Sequence, residues 1–469
     1  MAITRRHFLK CTGVTAAGAV LGPGLFGNPF VRQALADTIG DRYLVVLFLD
    51  GGNDGLNTVV PYDNGSGSLR SDYQAARRSS GAGGLRLATS DLEVPSLAFK
   101  DRFNTNAQLG FHPGLVGLRQ LYDLGKVAVI QGCGYPEYSL SHEESRVIWQ
   151  TGNPLGYGPY AGNGWVGRYL AANYTSTDIS AVGISDSVPP EFRTSATGVL
   201  AVRRLREFGF PYDNDYGDDD AARRQAFFNL YTNASNPYIG SAGIATLESS
   251  ESYPALHDLY QNDRATFDEA YEALDNGTAR GFREIAKIIY GVTNSVPNIN
   301  ARHFRLANGG YDTHSDQGAA DTEGQHYELL QEVGDAIKVF YDDIADMGAA
   351  NKVCILVWSE FARRIPQNDN GTDHGSQGPM FVIGGLVNGE VYGRHPNINM
   401  SALDDDENTE YRQDAGGFRS TDFRDVYGTV LKHWLNMPHG TILSNVLPID
   451  SGDPAFYWTA EDFDLGFLP

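Results

Sequence analysis

Apolar residues along this chain fall into short uninterrupted runs separated by longer amphipathic stretches. Tyr43 to Leu49 is continuously apolar and stops at Asp50-Gly51-Gly52. A run of that length without polar alternation predicts a strand buried on both faces, as in a parallel sheet. Val127 to Ile130, Phe304 to Leu306, Val353 to Trp358 and Met380 to Ile383 give four further, shorter strands. Helical spacing fills the intervals. His112 to Leu124 stops at Gly125, and Ser141 to Gln150 reads as a short helix. Tyr327 to Met347 places Leu330, Val333, Ile337, Phe340 and Ile344 on one face, and Asp422 to Leu435 forms a closing helix.

Strands alternating with helices predict an α/β fold with a mostly parallel sheet flanked by helices. Between about 155 and 260 the alternation fails. That stretch is rich in Tyr, Asn, Gly and Ser and carries the run Asp218-Asp219-Asp220, so it reads as an irregular insertion within one domain spanning 37–469. Asp404 to Glu407 forms another exposed acidic loop, and the chain has no internal repeat.

The first 36 residues stand apart. Thr4-Arg5-Arg6-His7-Phe8-Leu9-Lys10 matches a twin-arginine export signal, a weakly apolar stretch follows, and Ala34-Leu35-Ala36 fits a cleavage site. The expected address is the periplasm or the cell exterior. No later apolar run reaches the roughly 20 residues of a membrane span, so the mature chain is not expected to be integral to the membrane.

Charge narrows the partners. The 469 residues carry 36 Lys and Arg against 58 Asp and Glu, a net −22. The signal holds four of the cations and no acid, so the mature protein is more acidic still. Such a surface repels nucleic acid, while a small anionic substrate needs a locally cationic pocket, which a bound metal can supply. Of three cysteines, Cys11 leaves with the signal, and Cys133 and Cys354 lie in apolar runs that predict buried free thiols.

The predicted strand ends carry the chemistry. In open parallel sheets ligands sit beyond the carboxyl ends of the strands. Asp50 ends the first run, with Asp54 in the following turn. The second run leads through Gly132 and Gly134 to Ser139, Ser141 and His142. The third leads to Asp312 and His314, the fourth to Glu360, and Asp373-His374 precedes the fifth. Carboxylates and imidazoles converging from several strands suit a divalent Zn, Mn, Mg or Fe ion. The G-x-S-x-G elbow, the H-E-x-x-H helix motif and the G-x-x-x-x-G-K phosphate loop are all absent from the sequence.

Together with the export signal, Leu49 to Asn57 (Leu-Asp-Gly-Gly-Asn-Asp-Gly-Leu-Asn), Gly310 to His314, Ser359 to Arg363 and Thr372 to Gly375 resemble a large bacterial family, the domain-of-unknown-function family numbered fifteen hundred and one. That family is similar to the alkaline phosphatase and sulfatase superfamily. The resemblance implies an alkaline-phosphatase-like sheet and a metal set drawn from Asp50, Asp54, Asp312, His314, Glu360, Asp373 and His374. It implies catalytic roles for Ser141, His142 and Arg146, with Ser139, Ser141 and His142 competing as nucleophile. Phe361 stands where the superfamily has a metal-binding His. Two functions follow. The first is hydrolysis of a small phosphate or sulfate ester, with Arg146 or Arg363 offsetting the anionic charge. The alternative is a non-enzymatic envelope or surface protein that keeps the fold and binds a protein partner.

Overall fold

The computed structural model describes residues 42–79, 83–103, 105–135, 138–153, 162–174, 179–194, 198–208, 220–318, 324–401, 421–447 and 464–469. The export signal with Cys11, Asp218, Asp219 and the run Asp404 to Glu407 lie outside them.

Among the described residues the frame is one sheet of nine strands: β1 (Tyr43–Asp50), β2 (Val127–Gly134), β3 (Ile179–Gly183), β4 (Gly198–Ala201), β5 (His303–Gly309), β6 (Val353–Ser359), β7 (Gly378–Gly384), β8 (Val391–Tyr392) and β9 (Thr421–Asp422). Their order is β8-β2-β7-β6-β1-β5-β3-β4, with β9 also on β2. β1 lies between β5 and β6, parallel to both. The uninterrupted apolar character of β1 has a direct cause. Tyr43, Val45, Leu47 and Leu49 enter the core on one face of the sheet, and Leu44, Val46 and Phe48 enter the core on the other.

Helices cover the sheet: α1 (Val116–Asp123), α2 (His142–Thr151), α3 (Trp165–Asn173), α4 (Gly277–Thr293), α5 (Gln325–Asp346) and α6 (Phe423–Thr429), the last running on as a π-helical segment Val430–Trp434. α5 packs on α1 and α4 through the apolar face its spacing predicts. The two cysteines are buried and free, as expected.

Two features differ from the sequence reading. Within 155–260 the chain contributes β3 and β4, which extend the parallel sheet beside β5, and long helices at Asp220–Thr232 and Pro237–Asp263. These strands are only five and four residues long, too short to stand out from the polar chain around them. The second difference is that β7 runs antiparallel to both neighbours. No helix lies between β6 and β7 to carry the chain back across the sheet, so the chain re-enters from the edge it has just left. That return strings residues 360–377 along the carboxyl edge of the sheet, where β1 and β5 also end.

Candidate metal centre

Four side chains converge at that edge. Asp312 and His314 follow β5. His374 comes from the short ladder in which His374 and Gly375 pair with Arg363 and Ala362. His142 opens α2, whose N-cap Ser141 accepts the Glu144 amide at 3.5 Å and whose left-handed Gly152 ends the helix. His142, Asp312 and His374 each turn a ligand atom into one small volume. His314 joins them, its Nε2 lying 2.8 Å from His374 Nε2 and 3.2 Å from Asp312 Oδ1.

The outer nitrogens explain the inner ones. His142 Nδ1 lies 2.8 Å from Glu360 Oε1, His314 Nδ1 lies 3.1 Å from Asp373 Oδ1, and His374 Nδ1 lies 2.7 Å from the Leu140 carbonyl. Each of those partners accepts, so each Nδ1 carries the hydrogen and each neutral ring presents an Nε2 lone pair to Asp312. His142 Nε2 is buried, makes no hydrogen bond and faces Asp312 Oδ2 at 3.3 Å. Two imidazole lone pairs at 2.8 Å repel unless a cation or shared proton sits between them. Three imidazoles and one carboxylate are a donor set that fits a divalent cation.

Electrostatics favour that arrangement at Asp312 and His374 and run the other way at His142. Burial opposes ionisation of Asp312, but the hydrogen bond and charge of Arg363 hold its carboxyl well below the usual carboxylate range. Burial lowers His374, which favours the neutral, ligating ring. The hydrogen bond to Glu360 raises His142 above its ordinary value against the effect of burial.

The remaining expected site residues are nearby but otherwise engaged. Glu360 is fully buried. It accepts the Gly51 amide at 3.0 Å, the Gly52 amide at 3.2 Å and Arg146 Nε at 3.3 Å, besides facing His142. It orients the site from behind. Asp54 is buried in a bidentate pair with Arg77 at 2.8 and 2.9 Å and also accepts Gln317 Nε2 at 2.7 Å, so it does not join the cluster. Asp373 is held between His314 and Arg364. Asp50 pairs with Arg146 on the wall of an open cleft of about 600 Å³ whose lining includes Leu140, Ser141, Gly310 and Asp312. Burial raises the Asp50 carboxyl, opposed by Arg146. Arg363 does not reach the cleft. It is fully buried and donates to the carbonyls of Gly51, Gly52, Tyr311 and Thr372 and to Asp312 Oδ1 at 2.8 Å. A guanidinium saturated with backbone carbonyls is a brace between loops.

Phe361 has a clear place. Its ring lies 4.7 Å from that of His142 and 4.6 Å from that of His374. It packs directly against two of the imidazoles that face Asp312. The ring also dictates Gly52, where φ is +79° and a Cβ would sit 2.4 Å from the Phe361 ring. Sequence reading missed Arg77, Gln317 and the Leu140 carbonyl, because none carries a local motif.

A family model described as "Protein of unknown function (DUF1501)" matches residues 41–410. The chain belongs to this family. A second model, for the twin-arginine translocation pathway signal sequence, matches residues 2–22. This member of the family is therefore exported by the twin-arginine pathway, and no helix among its described residues is long and apolar enough to cross a membrane. A comparison with curated proteins finds no match.

Proposed function

We propose that this protein is an exported metal-dependent hydrolase of phosphate or sulfate esters, holding one divalent cation through His142, Asp312, His314 and His374. The observation that carries the reading is the arrangement of three imidazoles, each tied back at Nδ1 and each aiming Nε2 at one carboxylate. A cation bound there supplies Lewis acidity toward the ester oxygens and lowers the pKa of a bound nucleophile. The chain's own groups do the rest. Arg146, half exposed in the cleft, offers a fixed cation to the anionic ester, while Asp50 and Glu360 hold its guanidinium in place. Ser141 is exposed on the same wall and supplies a hydroxyl in reach of the cleft. His142 belongs with the metal ligands in this reading, so it is removed from the competition for nucleophile, which leaves Ser141, Ser139 or a water molecule.

Elemental mass spectrometry on protein exported through its own signal tests the reading. About one equivalent of Zn, Mn or Fe is expected, lost in His374→Ala together with turnover in a phosphatase and sulfatase screen. Wild-type protein that is folded and metal-free would reject it.

A second reading is a non-enzymatic envelope or surface protein. It draws on Phe227, Phe228 and Leu230, three large apolar side chains exposed on the helix Asp220–Thr232. It requires that the metal-loaded protein cleave no ester and that substitution of these three residues abolish partner binding.

A further inference from the structure

Behind the four converging side chains lies a buried amide whose every polar atom points at a different part of the site. Gln317 is 2 % exposed and sits three residues beyond His314. Its Oε1 accepts the Thr372 hydroxyl at 2.7 Å and the Thr313 hydroxyl at 3.2 Å. Its Nε2 donates to Asp54 Oδ2 at 2.7 Å. Thr313 lies between Asp312 and His314, Thr372 lies two residues before His374, and Asp54 ends the turn that begins at Gly51. One side chain thus ties both ligand-bearing loops to the glycine turn, whose amides hold Glu360.

The amide is the group suited to this position. The two hydroxyls need an acceptor oxygen with two lone pairs and the Asp54 carboxylate needs a donor, and the Gln side chain offers both on one planar unit. The anchor below it is rigid, because Asp54 is locked to Arg77, which also donates to the Arg364 carbonyl at 2.9 Å. Arg364 in turn holds Asp373, the acceptor behind His314. The backbone repeats the tie, with the Thr372 amide donating to the Thr313 carbonyl at 3.0 Å and the Gln317 amide to the Asn370 carbonyl at 3.2 Å.

The geometry points to Gln317 as the positioning residue of the site, which sets the spacing between the loop carrying Asp312 and His314 and the loop carrying His374. We propose that it fixes metal affinity and ligand-field geometry without touching the metal or the substrate. This rests on the metal-centre reading above. Hydrogen bonds made directly to metal ligands are worth about 10- to 100-fold in metal affinity, and Gln317 acts one step further back, through the loops, so the lower end of that range is expected.

The test uses the mature exported protein, stripped by a chelator and titrated with Zn²⁺ and with Co²⁺, whose visible absorption reports coordination geometry. Gln317→Ala is expected to remain folded by circular dichroism, to bind Zn²⁺ about tenfold more weakly and to change the Co²⁺ spectrum. A variant that is merely less stable would keep the wild-type spectrum. Where Gln317→Ala does not fold, Thr372→Val against Thr372→Ser carries the test, with loss in the first and recovery in the second. Wild-type affinity and spectrum in Gln317→Ala, or in Thr372→Val, overturn the positioning role and leave the metal centre standing. Wild-type protein that binds neither ion overturns the metal reading and this inference with it.

Discussion

Glu360 Oε1 lies 2.8 Å from His142 Nδ1, and that contact joins the end of β6 to the start of α2. The carboxylate is fully buried, and its other donors are Arg146, Ser359 and the Gly51 and Gly52 amides. A buried anion with this many donors is held by all of them together, and removing its charge leaves each donor poorly answered. Glu360→Gln should therefore destabilise the fold by about 3 kcal/mol and free the His142 ring. Denaturant unfolding checks this, and a midpoint equal to wild type would reject the assignment.

Asp373 separates support from ligation. It faces His314 Nδ1 at 3.1 Å and Arg364 at 2.9 Å, so its oxygens are committed away from the cluster. Asp373→Asn should bind Zn²⁺ roughly tenfold more weakly while keeping its stoichiometry. His374→Ala should lose the ion altogether. Calorimetric titration distinguishes these outcomes, and loss of stoichiometry in Asp373→Asn would make Asp373 a ligand.

His303, at the opposite end of β5, gives a pH dependence independent of the site. It is fully buried between Tyr169 and Tyr174, with Nδ1 facing the Ser180 carbonyl at 3.1 Å. Burial pushes it down to about 4, with the Ser180 carbonyl opposing. Between pH 6.5 and 4 the unfolded imidazole binds a proton that the folded one refuses, so stability falls as pH falls through that window. The loss is on the order of 3 kcal/mol at most. His303→Asn keeps a donor toward Ser180 and cannot titrate. It should flatten part of the decline seen in urea unfolding with chelator present, and parallel declines in both proteins would exclude His303 as a source.

Export depends on the arginine pair. Replacing Arg5 and Arg6 together with Lys should leave the unprocessed precursor in the cytoplasm. Cell fractionation with detection of the precursor and the mature chain reads this directly. Normal export of the double variant would point to another route.

Much of this protein is written locally. The apolar runs at Tyr43, Val127 and Val353 form buried strands as their composition predicts, and the stretch from Tyr327 to Met347 forms the amphipathic helix its spacing predicts. Because ligands collect at the carboxyl ends of parallel strands, that reading put Asp50, Asp312, His314 and Glu360 at one edge, whereas His374, which precedes β7, reaches it only because β7 runs antiparallel. The first 22 residues carried the export address whatever the fold.

Tertiary structure decided the rest, because a carboxylate's role depends on what faces it and not on its neighbours in sequence. Asp54 and Asp312 both follow strand ends, yet Arg77 claims the first, 23 residues away, while three imidazoles and Arg363 surround the second. Glu360 was turned inward by the Gly51 and Gly52 amides, more than 300 residues earlier in the chain. Gln317 and Arg363 look like ordinary polar residues until folding brings the loops around them. Hydrogen-bond partners at such separations leave no periodicity or motif, so the sequence pointed to the strand ends and only the packed structure divided their residues into those that face Asp312 and those that brace them.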